Sequence, residues 1–259
     1  VALDRFWLKS LLRKYVLTTY YKFIDHFFPI GTNSIKHYLN MGIKKEQLTP
    51  VPYAVDFDFF QNQVLHWLPQ REQLREVFGI KKDDHVYMYC GKMFGPKNPL
   101  IIPEALSLLK DDKQKKIWFL AVGDGELRSE FEKLSKEQLH ERAIFPGFKN
   151  QTELGEYYAM ADTLILPSQS GETWGLVVNE ALQFGLRVIV SNKIGCAIDL
   201  VHSSDRGLIF SSGDASDLSR CISEIINSPR KSSCPLTDLP HPKHFARALC
   251  ERMLEKDQI

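Results

Sequence analysis

The sequence has no framework of paired cysteines, no membrane span and no surplus of charge. Its five cysteines, Cys90, Cys196, Cys221, Cys234 and Cys250, are scattered and odd in number, and no two stand at the short spacing that holds zinc or a redox disulfide. A reducing cytoplasm is therefore the expected compartment. Apolar runs are broken by charge well before the ~20 residues that a membrane-spanning helix needs, and no secretory signal is visible. Lysine and arginine together number 33 against 32 aspartates and glutamates, a formal net charge of +1. That balance argues against a nucleic-acid binder, which needs a clear cationic surplus to displace counterions from phosphates. A small anionic ligand stays open. The chain begins at Val1 rather than at a methionine, directly in a basic amphipathic segment, and reads as part of something longer.

What is present is 259 residues, 44% hydrophobic and 25% charged, enough for a substantial core and for one and a half domains. From His85 onward, short β-rich runs alternate with helical patterns across short turns, the mark of a parallel sheet wrapped by helices. Strands are expected at His85–Cys90, Ile117–Val122, Ala143–Phe145, Thr163–Leu166, Arg187–Val190 and Gly207–Phe210. Helices are expected at Pro99–Lys110, Glu126–Lys136, Gln151–Ala159, Gly175–Phe184, Asp214–Asn227 and Lys243–Lys256. The fold class this implies is α/β, a doubly wound parallel sheet. Residues 1–50 are helical, with Phe6, Leu8, Leu11, Leu12, Tyr15 and Val16 on one face, and cannot form a domain alone. Pro50 to Asp56 interrupts regular structure, as a connection between domains does. The expected divisions are a helical remnant at 1–50, a linker at 51–70, a ligand-binding sheet domain at 71–228 and a proline-broken tail with a last helix at 229–259.

The stretch Pro167 to Ala181 is the most informative. It holds two glutamates with seven residues between them, Glu172 and Glu180. A helix beginning near Gly175 leaves Glu172 in the loop at a strand's carboxyl end and puts Glu180 in the second helical turn, so both border the crevice where doubly wound sheets bind ligands. The backbone N–H groups of Trp174, Gly175 and Leu176 would be donors of that helix start, suited to a pyrophosphate. Gly175 lets a phosphate approach the backbone, and a carboxylate such as Glu180 can accept from two vicinal hydroxyls, the pair a ribose offers.

This pattern, Glu, seven residues, Glu-Ala after a strand ending in Pro-Ser, resembles the large retaining family of group 1 glycosyltransferases, which includes glycogen and sucrose synthases. Other segments agree in order. Val51 to Asp56 with Phe59 resembles the interdomain linker, Gly91-Lys92 with Lys97-Asn98 the phosphate-binding basic pair, Val122 to Gly125 with Leu127-Arg128 the turn after the second strand, and Phe145 to Phe148 the base-binding loop. The match runs over roughly residues 30 to 227, and five ordered motifs carry far more than one. One departure is Gly185-Leu186-Arg187, where the family usually has proline.

The resemblance implies the donor-binding, Rossmann-like C-terminal domain of a two-domain GT-B fold, with residues 1–50 left over from the acceptor-binding domain. It implies transfer of a sugar from a UDP-sugar or GDP-sugar to a saccharide or lipid-linked acceptor, with retention, no metal and no other cofactor, as in polysaccharide biosynthesis. Lys92 and Lys97 would neutralise the departing diphosphate and Glu172 would hold a hydroxyl of the transferred sugar. These three are the implied catalytic residues. Gly91, Phe148, Lys149, Thr173, Trp174, Gly175, Leu176 and Glu180 would bind the donor, Glu180 at the ribose and the backbone around Phe148 and Lys149 at the base. Acceptor residues belong to the other domain, so this chain alone is expected not to turn over.

Other readings stand beside these. A nucleotide-sugar epimerase on the same scaffold would act without acceptor, and a non-catalytic module would bind nucleotide only. Gly123-Asp124-Gly125 lacks the third glycine of a dinucleotide fingerprint and reads as a structural turn. Asp56-Phe57-Asp58 has the Asp-x-Asp form that binds manganese in a different glycosyltransferase fold, but sits in a proline-broken segment. His241-Pro242-Lys243-His244 has no acidic or thiol partner nearby and reads as surface histidines. The stretch Arg5 to Phe28, with Arg5, Lys9, Arg13, Lys14 and Lys22 beside Trp7, Tyr15, Tyr20, Phe23 and Phe27, reads either as a helix packed on another domain or as a peripheral contact with an anionic membrane.

Overall fold

The computed structural model describes residues 2–110, 114–228 and 239–256. Cys234, Pro229 and Pro235 lie outside the described residues, as do the side chains of Arg5, Phe6, Trp7, Leu8 and Lys9. The chain divides into two compact units, Val1–Tyr53 with Pro240–Ile259, and Ala54–Leu239.

In the first unit, α1 (Ala2–Tyr21) and α2 (Thr32–Asn40) meet around Phe27, which is buried and lies 4.8 Å from Tyr38 and 5.3 Å from Tyr21 between ring centroids. Backbone hydrogen bonds from Phe27 N–H to Gln47 and from Thr49 N–H to Phe27 fix the strand-like crossing beneath them. Leu11, Leu12, Tyr15 and Val16 of α1 are exposed, so their apolar face is not used within the described structure. Among the described residues no helix is long and apolar enough to cross a membrane.

The second unit opens with α3 (Phe57–Trp67) and α4 (Arg71–Val77). Asp56 caps α3 by accepting the Phe59 N–H at 3.0 Å, the ordinary task of an N-cap carboxylate, and that is the structural role of the Asp-x-Asp stretch. Six strands follow: β1 (His85–Cys90), β2 (Ile117–Val122), β3 (Ala143–Gly147), β4 (Thr163–Leu166), β5 (Arg187–Ser191) and β6 (Gly207–Phe210). All neighbours pair in parallel, in the order β3-β2-β1-β4-β5-β6. This is the doubly wound arrangement expected from the sequence, with its switch point between β1 and β4. Strands buried on both faces read as continuous apolar runs, and Ile117–Val122 is buried along its whole length. Pro146 is tolerated because β3 is an edge strand with a register shift against β2.

The connecting helices are α5 (Ile101–Ser107), α6 (Arg128–Leu139), α7 (Leu154–Met160), α8 (Leu176–Gln183), α9 (Ala197–Leu200) and α10 (Ala215–Asn227). On one face of the sheet, Tyr87, Tyr89, Phe119, Ile165 and Ile189 pack with Ile102, Leu106, Phe131, Leu218 and Ile222 in one buried cluster. On the other, α3 and α4 pack on α7, and α3 reaches α8. α8 ends where Gly185, at φ +71, donates to Leu182 and Leu186 donates to Ala181. Glycine in the left-handed region closes a helix this way, so the departure at Leu186-Arg187 leaves the turn formed. The chain returns to the first unit with α11 (Pro242–Lys256), ahead of which His241 Nδ1 accepts the Lys243 N–H at 3.0 Å.

The amino ends of β1 and β4 are held by charge. Asp162 accepts from Arg71 at 2.6 Å, from Arg75 and from the Val86 N–H at 2.9 Å. Burial would raise its carboxyl, but His85, the two guanidinium groups and that N–H outweigh it and hold it below its usual value. Next to it, burial drives the His85 imidazole down from 6.5 to about 4, so it is neutral and shares a 2.9 Å hydrogen bond with Thr163 Oγ1.

Candidate functional site

At the opposite, carboxyl ends of β1, β2 and β3 lies a cavity of about 600 Å³. Its lining includes Cys90, Gly91, Lys92, Asp124, Phe148 and Lys149. Glycine makes its floor out of backbone. A Cβ on Gly123 would fall 2.0 Å from the Gly91 carbonyl oxygen, and one on Gly125 would fall 2.2 Å from that of Met93. Gly91 N–H donates to Val122, Met93 N–H to Asp124 and Gly123 N–H to Gly147, so three loops stay laced together beyond the ends of their strands. Gly123-Asp124-Gly125 is thus a structural turn that also lines the cavity.

The β1 loop carries both candidate lysines. Lys92 is exposed, lines the cavity, and rests its ammonium 5.3 Å from the Phe94 ring centre. Lys97 closes a short helical turn and is followed by Asn98 in the left-handed conformation, φ 47. Its Nζ is ion-paired with Glu172 Oε2 across the switch point. The two side chains keep 24% and 15% of their surface exposed, which leaves the pair accessible from outside yet poorly hydrated. Ser168 Oγ donates to the same Glu172 oxygen at 3.2 Å, and Gln169 N–H donates to the Pro96 carbonyl at 2.9 Å. The loops after β1 and β4 are therefore joined by backbone and by charge.

Behind Glu172, the main chain presses on the loop after β5. Gly195 N–H donates to the Glu172 carbonyl and Cys196 N–H to that of Trp174, and a Cβ on Gly195 would sit 1.8 Å from the Thr173 oxygen. Gly175 precedes α8 in the left-handed conformation at φ +96, with Ile194 and Leu166 close against it. Thr173 and Leu176 are exposed. Trp174 differs, since its side chain is buried and donates from Nε1 to Asn179 at 2.8 Å, which leaves only its main chain for a ligand.

Glu180, in the second turn of α8, is partly buried and burial raises its carboxyl above the usual value. Tyr158 Oη donates to its Oε2 at 2.7 Å and pulls the other way. The Cys90 thiol lies beside both groups and is pushed by burial up to about 12, so it is uncharged. Across the cavity, Phe148 is exposed, while Lys149 is 5.6 Å from the Tyr157 ring centre and 3.8 Å from Glu153. The sequence reading did not single out Cys90 or Tyr158 for the site. Cys90 ends β1 directly before Gly91, a signal that was available; Tyr158 reads as core in a helical pattern and gave none.

The fold thus brings Gly91, Lys92, Phe148 and Lys149 to one cavity, and Lys97 and Glu172 into contact at the switch point. Glu180 sits beside Cys90, which lines that cavity.

Comparison with known proteins adds to this geometry. Residues 70–235 match the family described as Glycosyl transferases group 1. The sulfoquinovosyl transferase of Arabidopsis thaliana is 32% identical over 142 residues, covering 50% of this chain and 26% of that protein. An alpha-galactosylglucosyldiacylglycerol synthase of Streptococcus pneumoniae is 26% identical over 181 residues, covering 68% and 46%. The chain therefore spans less than half the length of these two relatives. HepE of Anabaena, solved with UDP and glucose, superposes with a TM-score of 0.62 at 18% identity over 90% of this chain and 63% of its own, a likeness of fold.

Proposed function

The chain belongs to the group 1 glycosyl transferases, and from that premise we propose that it forms the donor-binding half of a retaining, metal-independent glycosyltransferase acting on a nucleoside diphosphate sugar. The observation that carries the reading is the Lys97–Glu172 ion pair at the switch point, beside a cavity large enough for a nucleotide.

The chemistry follows from those two charges. A diphosphate arriving at the Gly91–Lys97 loop offers Lys97 a stronger partner than a single carboxylate, and Lys92 a second contact. Glu172, released from Lys97, becomes an acceptor for a hydroxyl of the transferred sugar. As the glycosidic bond lengthens, negative charge grows on the leaving diphosphate, so both lysines bind the transition state more tightly than the ground state. Two ammonium groups supply the neutralisation that a divalent cation provides elsewhere. Glu180 takes the ribose hydroxyls, Phe148 and Lys149 border the base, and retention follows from attack on the face that the phosphate leaves.

Uridine is the base we favour, because the similarly folded HepE was solved with UDP. The acceptor is a saccharide or a lipid-linked one, supported by the glycolipid named for the Streptococcus relative. The exposed apolar residues of α1 beside Arg13, Lys14 and Lys22 suit packing on another domain of the protein or a peripheral contact with an anionic membrane.

Isothermal titration of the chain with UDP and GDP, with and without EDTA, tests the reading. The expectation is EDTA-insensitive binding that Lys97→Ala weakens about ten-fold or more, the value of a lost charge-assisted hydrogen bond. Binding that needs a divalent cation, or that ignores Lys97→Ala, would overturn it.

A further inference from the structure

We propose that Tyr158 is a positioning residue for ribose recognition, holding the Glu180 carboxylate in the one orientation that receives the two vicinal hydroxyls. The proposal rests on the donor-site reading above and adds to it a residue with no surface of its own.

Tyr158 is fully buried. Its ring stacks on Phe184 with centroids 5.3 Å apart and an interplanar angle of 26°, so the hydroxyl cannot swing away. Phe184 directly follows α8, the helix that carries Glu180, and Tyr158 belongs to α7. One stacked pair thus fixes the distance between α7, which carries Tyr158, and α8, which carries Glu180. From that position Oη donates to Glu180 Oε2 at 2.7 Å, beside Cys90, which lines the cavity.

A glutamate without such a partner rotates about its last side-chain torsion, a broad two-fold well. Binding two hydroxyls at once then costs the entropy of stopping that rotation. With Oε2 held, the carboxylate keeps its remaining lone pairs in a fixed plane, and only a cis pair of hydroxyls spaced as on a ribose satisfies them together. The phenol stays protonated, because burial raises it well above its usual value, so it keeps the O–H that it donates to Glu180, while its oxygen lies beside the Cys90 thiol. Burial also disfavours the charged form of Glu180, and the Tyr158 hydrogen bond offsets part of that cost.

The test is Tyr158→Phe, which keeps the ring and its stacking and removes one oxygen. Titration calorimetry would compare UDP with 2′-deoxy-UDP and 3′-deoxy-UDP, or the matching guanosine series if GDP binds more tightly. The wild-type chain is expected to prefer the full ribose by about ten-fold. Tyr158→Phe should lower affinity for UDP while leaving that for the deoxy nucleotides nearly unchanged, so that the preference collapses. A purely structural role would weaken all three nucleotides alike, and that result would overturn the proposal. So would an unchanged preference in the variant, with the Glu180 assignment left standing. A wild-type chain that does not distinguish the nucleotides would overturn the ribose assignment and the proposal together. Glu180→Gln, alone and combined with Tyr158→Phe, supplies the second measurement: if the two groups act as one device, the tyrosine change has little effect once the carboxylate is gone, and full additivity would refute the coupling.

Discussion

Stability should fall steeply as the pH drops from about 6.5 towards 4, and His85 should be the cause. In the folded chain, burial lowers the imidazole from 6.5 to about 4; in the unfolded chain it titrates near its ordinary value. Between those limits the unfolded state binds a proton that the folded state refuses, so stability is complete above about pH 6.5 and declines as the pH falls towards 4. At 1.36 kcal/mol for each pH unit the whole displacement amounts to about 3 kcal/mol, of which about 2 kcal/mol is lost by pH 5. Asp162 beside it is held below its usual value, so it stays charged across this window and adds no slope. Urea unfolding at half-unit steps measures the curve, for wild type and for His85→Gln, which keeps a group able to hydrogen-bond Thr163. The variant loses the His85–Tyr87 ring contact, 4.5 Å between centroids, a cost that does not depend on pH. The two curves should therefore converge by about 2 kcal/mol on going to pH 5. Parallel curves would refute the argument.

Two further outcomes follow from the cavity wall. Gly123→Ala would drive a Cβ to 2.0 Å from a backbone oxygen at φ +137, so it should destabilise the chain by more than about 3 kcal/mol. Gly95→Ala, with nothing within 4 Å, should change the urea midpoint little. Burial pushes the Cys90 and Cys196 thiols up to about 12, and thiolate is the reactive form. At pH 8 a maleimide should label exposed Cys250 long before either, as read by mass spectrometry of peptides; fast labelling of Cys90 would contradict the wall described here.

How much of this could be read without coordinates depended on whether the cause was local. The strands at His85–Cys90, Ile117–Val122 and Thr163–Leu166 lie where the sequence puts them, because a strand buried on both faces must be apolar along its middle; the edge strand Gly207–Phe210 also lies there, although Ile209 is exposed. The glycines of the loops were visible, but their reason was not: Gly123 answers to Gly91, and Gly195 to Thr173, contacts between segments far apart in the chain. Glu172 and Lys97 were each legible through their motifs, yet their ion pair spans 75 positions and no spacing rule reaches that far. Trp174 looked like part of the ligand loop, and its indole turns inward to Asn179, since a large apolar ring gains more from burial than from a wet cleft. Arg71 and Arg75 carried no motif, and their role is recognised only through their distant partner, Asp162.

That partnership has a consequence for how such a protein can change over time. The charged clasp sits at the amino ends of β1 and β4, and the cavity sits at the carboxyl ends of the same strands. A lineage can therefore rewrite the loops that meet a substrate while the anchorage that keeps the sheet together stays untouched, and an engineer can reinforce the anchorage without disturbing a binding event. Innovation and durability occupy opposite poles of one sheet, and selection can act on each by itself.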